Sequence, residues 1–241
     1  MGCRQHCASP PRAESLTCRS SSHLLLRFES NGSHRHLRVA LPDSALSAAR
    51  RALRATLDAR RRSVPAQLRA ATAQRLAHQV DRALHLAAGQ RIAIYAALPH
   101  ELDTAPLIAL AARRGCLIYL PRIDRARHAR GMRFVQMRGA LRINRLGIAE
   151  PQGAASLGAR WLDLVFLPLT GFDQRGVRLG SGGGFYDRAF AFRRWRRVWH
   201  APRLVGLGYA FQELAHLDAA AHDVLMDAVV TEEGIRRCAT G

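Results

Sequence analysis

Apolar and polar positions change rhythm near residue 44. From Ser44 onward, Leu46, Ala49, Leu53 and Leu57 recur at intervals of three and four, which puts them on one face of a helix. At about 100° per residue, Arg50, Arg54 and Arg61 fall together along one border of that apolar stripe. They can reach beside the helix toward a ligand, or they can be a solvated arginine edge. Ser63 then offers an N-cap and Pro65 suits a first turn, so Leu68, Leu76, Val80 and Leu84 predict a second helix that stops near Gly89.

Beyond Gly89, short apolar runs alternate with helical segments. Ile92 to Ala97 reads as a strand, Thr104 to Arg114 as a helix ended by Gly115, and Cys116 to Leu120 as a strand stopped by Pro121. Met132 to Met137 alternates, as an edge-side strand does. Leu162 to Leu167 is a continuous apolar run of the kind buried on both faces of a parallel sheet, and Pro168 stops it. A Gly-rich loop, a helix from about Tyr186, and strands at Leu204 to Leu207 and Ala228 to Val230 complete the order. Strands alternating with helices predict an α/β fold, a single domain over 44–241 with a largely parallel sheet flanked by helices. Ligands of such sheets sit beyond the carboxyl ends of the strands, where Leu98 to Thr104 and the loop after Pro168 emerge.

Residues 1–43 lack either period and are rich in Ser, Arg, His, Cys and Pro. They read as a disordered basic extension. Six arginines against three acids give it +3, which leaves +16 on the rest of the chain. Its composition faintly resembles an organelle transit sequence, while Leu24 to Leu26 is too short for a secretory core. Cytoplasmic residence is expected, with an organelle role of the extension as the alternative. Cys3, His6, Cys7 and Cys18 could hold a metal only in an ordered segment.

Composition narrows the chemistry. The chain has 241 residues, 48% hydrophobic and 23% charged, enough for a sizeable core. No stretch nears the roughly 20 apolar residues of a membrane-spanning helix. All 37 basic residues are arginine. Without lysine, a Walker P-loop lysine, a pyridoxal phosphate Schiff base, a lysine nucleophile and a SxxK serine hydrolase are all excluded. A formal charge of +19 fits a polyanionic partner, nucleic acid or small anion, and equally fits a genome that exchanges lysine for arginine. Five cysteines without a CxxC pair point away from disulfides and zinc.

The densest signal is LDLVFLPLTGFDQRGVRLGSGGGFYDR, residues 162–188, with six glycines between 171 and 184. Gly180, Gly182, Gly183 and Gly184 let backbone amides approach an anion, the following helix adds its N-terminal end, and Arg178 supplies a fixed cation. Asp187 could hold Mg²⁺ against the same phosphate. The alternative is a flexible linker ahead of a capped helix.

The ordered combination resembles the 5-formyltetrahydrofolate cyclo-ligases, also called 5,10-methenyltetrahydrofolate synthetases. The likeness lies in Phe172, Asp173, Gly176, Arg178 to Gly180, Gly182 to Gly184 and Tyr186 to Arg188. It extends to the Arg-rich first helix, to Tyr95, Glu101 and Thr104, to GIAEP at 147–151 and to the ending HDVLMDAVVTE. The resemblance implies ATP-dependent closure of 5-formyltetrahydrofolate to 5,10-methenyltetrahydrofolate, with Mg²⁺ and release of ADP and phosphate. It implies that Arg50 and Arg54 contact ATP phosphates. Arg178, the catalytic arginine, would cradle ATP with Gly180, Ser181, Gly182, Gly183, Gly184, Phe185 and Tyr186. Leu98 and Glu101 would contact folate, and Asp187 and Asp223 would bind Mg²⁺. Reduced folate and ATP are then the partners of a monomer that engages neither membrane nor nucleic acid. Asp223 could instead be a turn carboxylate, and Glu101 a solvated strand-end residue. Some relatives carry a basic residue and a lysine where this chain has Ser181 and Gly183, others a lysine at Arg50, and Phe185 replaces the first tyrosine of the usual pair.

A rival reading is a non-enzymatic RNA-binding domain. RRWRRVWH, residues 193–200, interleaves four arginines with Trp195 and Trp199, a stacking-plus-charge pattern suited to single strands. Inward-packed tryptophans with solvated arginines would give the same pattern.

Overall fold

The computed structural model describes residues 25–27, 38–40, 43–123, 131–138, 141–143, 149–151, 155–195 and 201–239. Two compact units divide at Ser47. In the first, β1 (Leu25–Arg27) pairs antiparallel with β2 (Arg38–Ala40). Most of the extension, including Cys3, His6, Cys7 and Cys18, lies outside the described residues.

The second unit, after α1 (Asp43–Arg62) and α2 (Ala66–Leu84), is built on an eight-stranded sheet. Its strands are β3 (Arg91–Ala93), β4 (Leu117–Ile123), β5 (Met132–Gln136), β8 (Ser156–Leu157), β9 (Leu164–Pro168), β12 (Arg203–Leu207), β13 (Ala228–Thr231) and β14 (Gly234–Arg237). The order is β14-β13-β12-β9-β3-β4-β5-β8. The five strands from β13 to β4 run parallel, and the outer three pairings are antiparallel. α3 (Ala105–Arg113) joins β3 to β4. β6 (Leu141–Ile143) with β7 (Ala149–Pro151), and β10 (Gly171–Phe172) with β11 (Arg178–Leu179), form separate small ladders. α4 (Phe185–Ala189) follows the second of these.

β9 explains why the sheet is covered on both sides. Leu164 and Phe166 pack with Leu76, Val80 and Leu107 of α2 and α3, whereas Val165 and Leu167 pack with Phe134, Phe190 and Met226. A strand whose alternate residues both meet apolar neighbours needs no polar face, and this accounts for its unbroken hydrophobic run. Leu57 of α1 packs separately on Val177, Leu179 and Leu217, so α1 lies against the β10–β11 ladder.

Three local expectations differ. Pro121 does not end its strand. The Ile118 carbonyl accepts from the Met137 amide, while the Tyr119 carbonyl, facing the other way, accepts from Ile94. Two residues on, Pro121 faces the side of Tyr119, past the end of β3, so its missing N–H breaks no ladder. The first strand, expected to Ala97, pairs only to Ala93, since the chain then turns away to form the site. Ser63 does not cap α2. Its Oγ donates to the Arg60 carbonyl at the end of α1, and Pro65 takes the cap position.

The chain passes from β3 to β4 on one side, then crosses back to β9, β12 and β13 on the other. The β3–β9 border is thus the point at which the winding reverses, and the carboxyl ends of the two strands splay their loops apart there.

Candidate functional site

A pocket of ≈ 320 Å³ opens at that border. Tyr95 and Leu98 reach it from beyond β3, and Pro168, Leu169 and Thr170 from the end of β9. α1 and the Gly-rich loop close one side, and Pro121, Ile123, Met132 and Glu150 the other.

The loop is anchored by one buried carboxylate. Asp173 is 1% exposed, and it accepts from the amides of Arg175, Val177 and Leu217 and from the Arg175 side chain. Gly176 sits within this turn at φ +83°, and an added Cβ would overlap the Met226 carbonyl. The turn therefore presents Arg178 from a stiff ladder. Arg178 Nη1 donates to the Pro168 carbonyl at 3.2 Å, and Nη2 lies 3.1 and 3.2 Å from the two Asp187 oxygens. Its guanidinium also stands 5.4 Å over the Tyr186 ring.

α1 adds two more guanidinium groups. Arg50 Nη1 donates to Asp223 Oδ2 at 2.8 Å, and Nη2 to the carbonyl of Arg178. Arg54 Nε donates to the Gly180 carbonyl at 2.7 Å. Burial, then the neighbouring Arg50, holds Arg54 below its usual pKa. Asp187 also accepts from the Val224 amide, and Asp223 from that of Ala220. Two ion pairs, Arg50–Asp223 and Arg178–Asp187, are thereby joined through the Arg178 carbonyl. The Nε atoms of Arg50 and Arg178 are buried and have no acceptor.

Two phenols and the Leu98–Glu101 turn line the same pocket. The Glu101 amide donates to the Leu98 carbonyl, and the Leu98 amide returns a bond to Glu101 Oε2 at 3.1 Å. Burial pushes the Glu101 carboxyl up, partly opposed by that amide. Burial also raises the phenols of Tyr95 and Tyr186, keeping both protonated.

Arg50, Arg54, Leu98, Glu101, Arg178, Gly180, Ser181, Gly182, Gly184, Phe185, Tyr186, Asp187 and Asp223 all line this pocket. Gly183 stands outside the lining. Its carbonyl accepts from Arg188 Nη2, and an added Cβ would press on the Phe185 ring at 2.7 Å. Ile123 and Met132 are wall residues that no motif announced, and only their place at strand ends could have signalled them; Leu169 and His222 lie within the quoted 162–188 and HDVLMDAVVTE segments without being singled out there.

Among the described residues, no group of three or more His, Cys, Asp and Glu side chains could hold a metal by itself. The two carboxylates on the wall suit a magnesium ion, which binds through one or two carboxylates together with substrate phosphates. In the 193–200 segment, Arg193 is paired with Asp227 at 2.8 Å and Arg194 donates to the Ala221 carbonyl. Trp195 is 82% exposed, not packed inward, and 196–200 with Trp199 lie outside the described residues.

Residues 46–232 match the model of the 5-formyltetrahydrofolate cyclo-ligase family. The chain is 35% identical over 144 residues to 5-formyltetrahydrofolate cyclo-ligase of Escherichia coli strain K12, covering 58% of this chain and 76% of that one. It is 28% identical over 199 residues to the Mus musculus enzyme of the same name, covering 78% and 96%. Its fold resembles the 5,10-methenyltetrahydrofolate synthetase of Aquifex aeolicus, with a TM-score of 0.67 and 24% identity over 80% of this chain and 94% of that structure.

Proposed function

Because the chain belongs to the 5-formyltetrahydrofolate cyclo-ligase family, we propose that it closes 5-formyltetrahydrofolate to 5,10-methenyltetrahydrofolate at the expense of ATP, with magnesium. The observation that carries this reading is the pocket's lining. The Arg50–Asp223 and Arg178–Asp187 ion pairs share one pocket with the Glu101 carboxyl.

The chemistry needs both kinds of lining. A formamide oxygen is a poor leaving group, so the γ-phosphoryl passes to it and ADP leaves; N10 then attacks the activated carbon, and phosphate departs with the former formyl oxygen. Such transfers need positioning and charge neutralisation more than covalent help from the protein. Arg178 would stabilise the transferring group, since its guanidinium lines the pocket beside Asp187. Arg54 shapes the glycine loop through the Gly180 carbonyl. Asp187 and Asp223 would hold the magnesium ion, which supplies charge neutralisation for the phosphates when bound. Leu98 and Glu101 receive the folate, since a carboxylate can accept two adjacent ring N–H donors in parallel.

The same reading places the enzyme, residues 44–241, in the cytoplasm as a monomer acting on small molecules. One relative, 39% identical over 79 residues, is a mitochondrial cyclo-ligase of Arabidopsis thaliana, which supports organelle targeting by 1–43 as the alternative. No helix among the described residues is long and apolar enough to cross a membrane. Absorbance of the methenyl product, followed with and without ATP, tests the function. Product only with ATP supports it; none in either case, with RNA bound along a steep salt slope, favours the nucleic-acid reading.

A further inference from the structure

The glycine loop is gripped by two arginines. Arg54 of α1 donates through Nε to the Gly180 carbonyl at 2.7 Å, where the loop begins, and Arg188 of α4 donates through Nη2 to the Gly183 carbonyl at 2.9 Å, near its end. Arg54 lines the pocket; Arg188 and Gly183 stand outside its lining, while Gly184 belongs to it. The Arg188 guanidinium also lies 5.0 Å over the Phe185 ring.

The backbone is shaped for this contact. Gly184 is left-handed, at φ +61° and ψ +17°, and a Cβ there would come within 2.9 Å of Arg188 Nη1. At Gly183 a Cβ would press on the Phe185 ring. Two bare glycines thus let the guanidinium and the ring close on the main chain. Arg188 itself is exposed, and its one hydrogen bond among the described residues goes to this carbonyl, so little of the fold's stability depends on it.

The same glycines leave the peptide between them free to turn over, because no Cβ opposes the rotation. The Gly183–Gly184 bond is trans, so the Gly183 carbonyl and the Gly184 N–H point to opposite sides of one plane. With the carbonyl held by Arg188 on the side away from the lining, the N–H is left on the pocket side. The flipped peptide would turn its carbonyl oxygen there instead, against the oxygens of a phosphate.

We infer that Arg188 is a positioning residue for the nucleotide, fixing the Gly183–Gly184 peptide so that its N–H and not its carbonyl meets the ATP phosphates. This rests on the ATP reading of the pocket. Without Arg188 the peptide samples both orientations, and the apparent affinity falls with the share of loops that are correctly turned. Arg188→Met therefore weakens nucleotide binding by about tenfold. Its kcat at saturating ATP stays close to wild type, because bound nucleotide selects the correct orientation. The KM for folate and the melting temperature hardly move. Arg188→Lys recovers part of the loss, since an ammonium can donate to the same carbonyl but lacks the planar face over Phe185. Arg188→Glu matches Arg188→Met within about twofold, an exposed charge being largely screened.

The four proteins are compared by calorimetric titration with a non-hydrolysable imido analogue of ATP and magnesium, by steady-state kinetics, and by thermal unfolding. A selective loss of nucleotide affinity, partly restored by lysine and equal in the methionine and glutamate variants, establishes the role. Unchanged affinity in Arg188→Met overturns the inference. So does a far greater loss in Arg188→Glu, which would make the charge of Arg188 a direct phosphate contact. Nucleotide and folate affinity falling together with the melting temperature would make Arg188 a mere brace of the loop, and overturns it as well. If wild type binds no nucleotide, the ATP reading falls and this inference with it. If it binds nucleotide without forming product, the cyclo-ligase reading falls, and the measured affinities still decide the role of Arg188.

Discussion

Arg178 and Asp187 are paired through a single nitrogen, Nη2, which lies 3.1 and 3.2 Å from the two carboxylate oxygens. Both side chains are largely buried, at 6% and 16% exposure. Each therefore compensates a charge that would otherwise be costly to enclose. A triphosphate with its metal ion can engage both partners at once, the cation meeting phosphate and the carboxylate meeting the ion.

Arg178→Ala is expected to lower kcat by on the order of 100-fold or more, since guanidinium stabilisation grows as charge shifts onto the transferring oxygens. Arg178→Lys recovers only part of this, because the fork to the Pro168 carbonyl and Asp187 is replaced by a point charge. Steady-state kinetics at saturating folate checks both. A change confined to the KM for folate would place Arg178 at the wrong end of the pocket.

Asp187→Asn should raise the magnesium concentration needed for half-maximal rate, by roughly tenfold. The amide can still accept from the Val224 amide, but it leaves the largely buried Arg178 without its counter-charge, so the melting temperature falls as well. A metal titration of the rate measures the effect. An unchanged magnesium requirement would remove Asp187 from the metal site.

Glu101→Gln is expected to raise the KM for folate with little effect on that for ATP. One acceptor oxygen becomes a donor facing the donors of the ring, which leaves a buried clash of like groups. The return bond from the Leu98 amide can persist on the remaining oxygen, so the loop keeps its form. Separate KM determinations decide the matter, and a rise in the KM for ATP alone would contradict the assignment.

Gly176→Ala should destabilise the fold by about 2 kcal/mol, because φ of +83° strains any other residue and the Cβ meets the Met226 carbonyl. For a chain of this size that corresponds to a melting temperature lower by roughly 4–8 °C. Thermal unfolding reads it. No change would mean that the turn around Asp173 is softer than its five hydrogen bonds indicate.

The parallel sheet was legible because β9 is apolar at every position, and burial on both faces leaves no other pattern. That the Gly-rich loop borders a pocket was legible because glycines, Arg178 and Asp187 cluster within a short span, whereas Arg50, Arg54 and Asp223 join it from distant parts of the chain. The apolar walls were not. Ile123 and Met132 come from the ends of paired strands whose register depends on tertiary contacts, and aliphatic residues there look like any core. Arg61 shares the face of Arg50 and Arg54, yet periodicity could not say which backbone carbonyl each would meet. Pro121 misled for a related reason. Whether a proline breaks a strand depends on what faces its nitrogen, and only the order of β3, β4 and β5 supplies that.

The central claim is that the formyl oxygen is phosphorylated before the ring closes. It is tested most directly by supplying 5-formyltetrahydrofolate labelled with oxygen-18 in the formyl group, together with unlabelled ATP, and analysing the phosphate released by mass spectrometry. The account predicts one labelled oxygen in each phosphate, formed in equal amount with methenyltetrahydrofolate. Label recovered in water, with unlabelled phosphate, would contradict it.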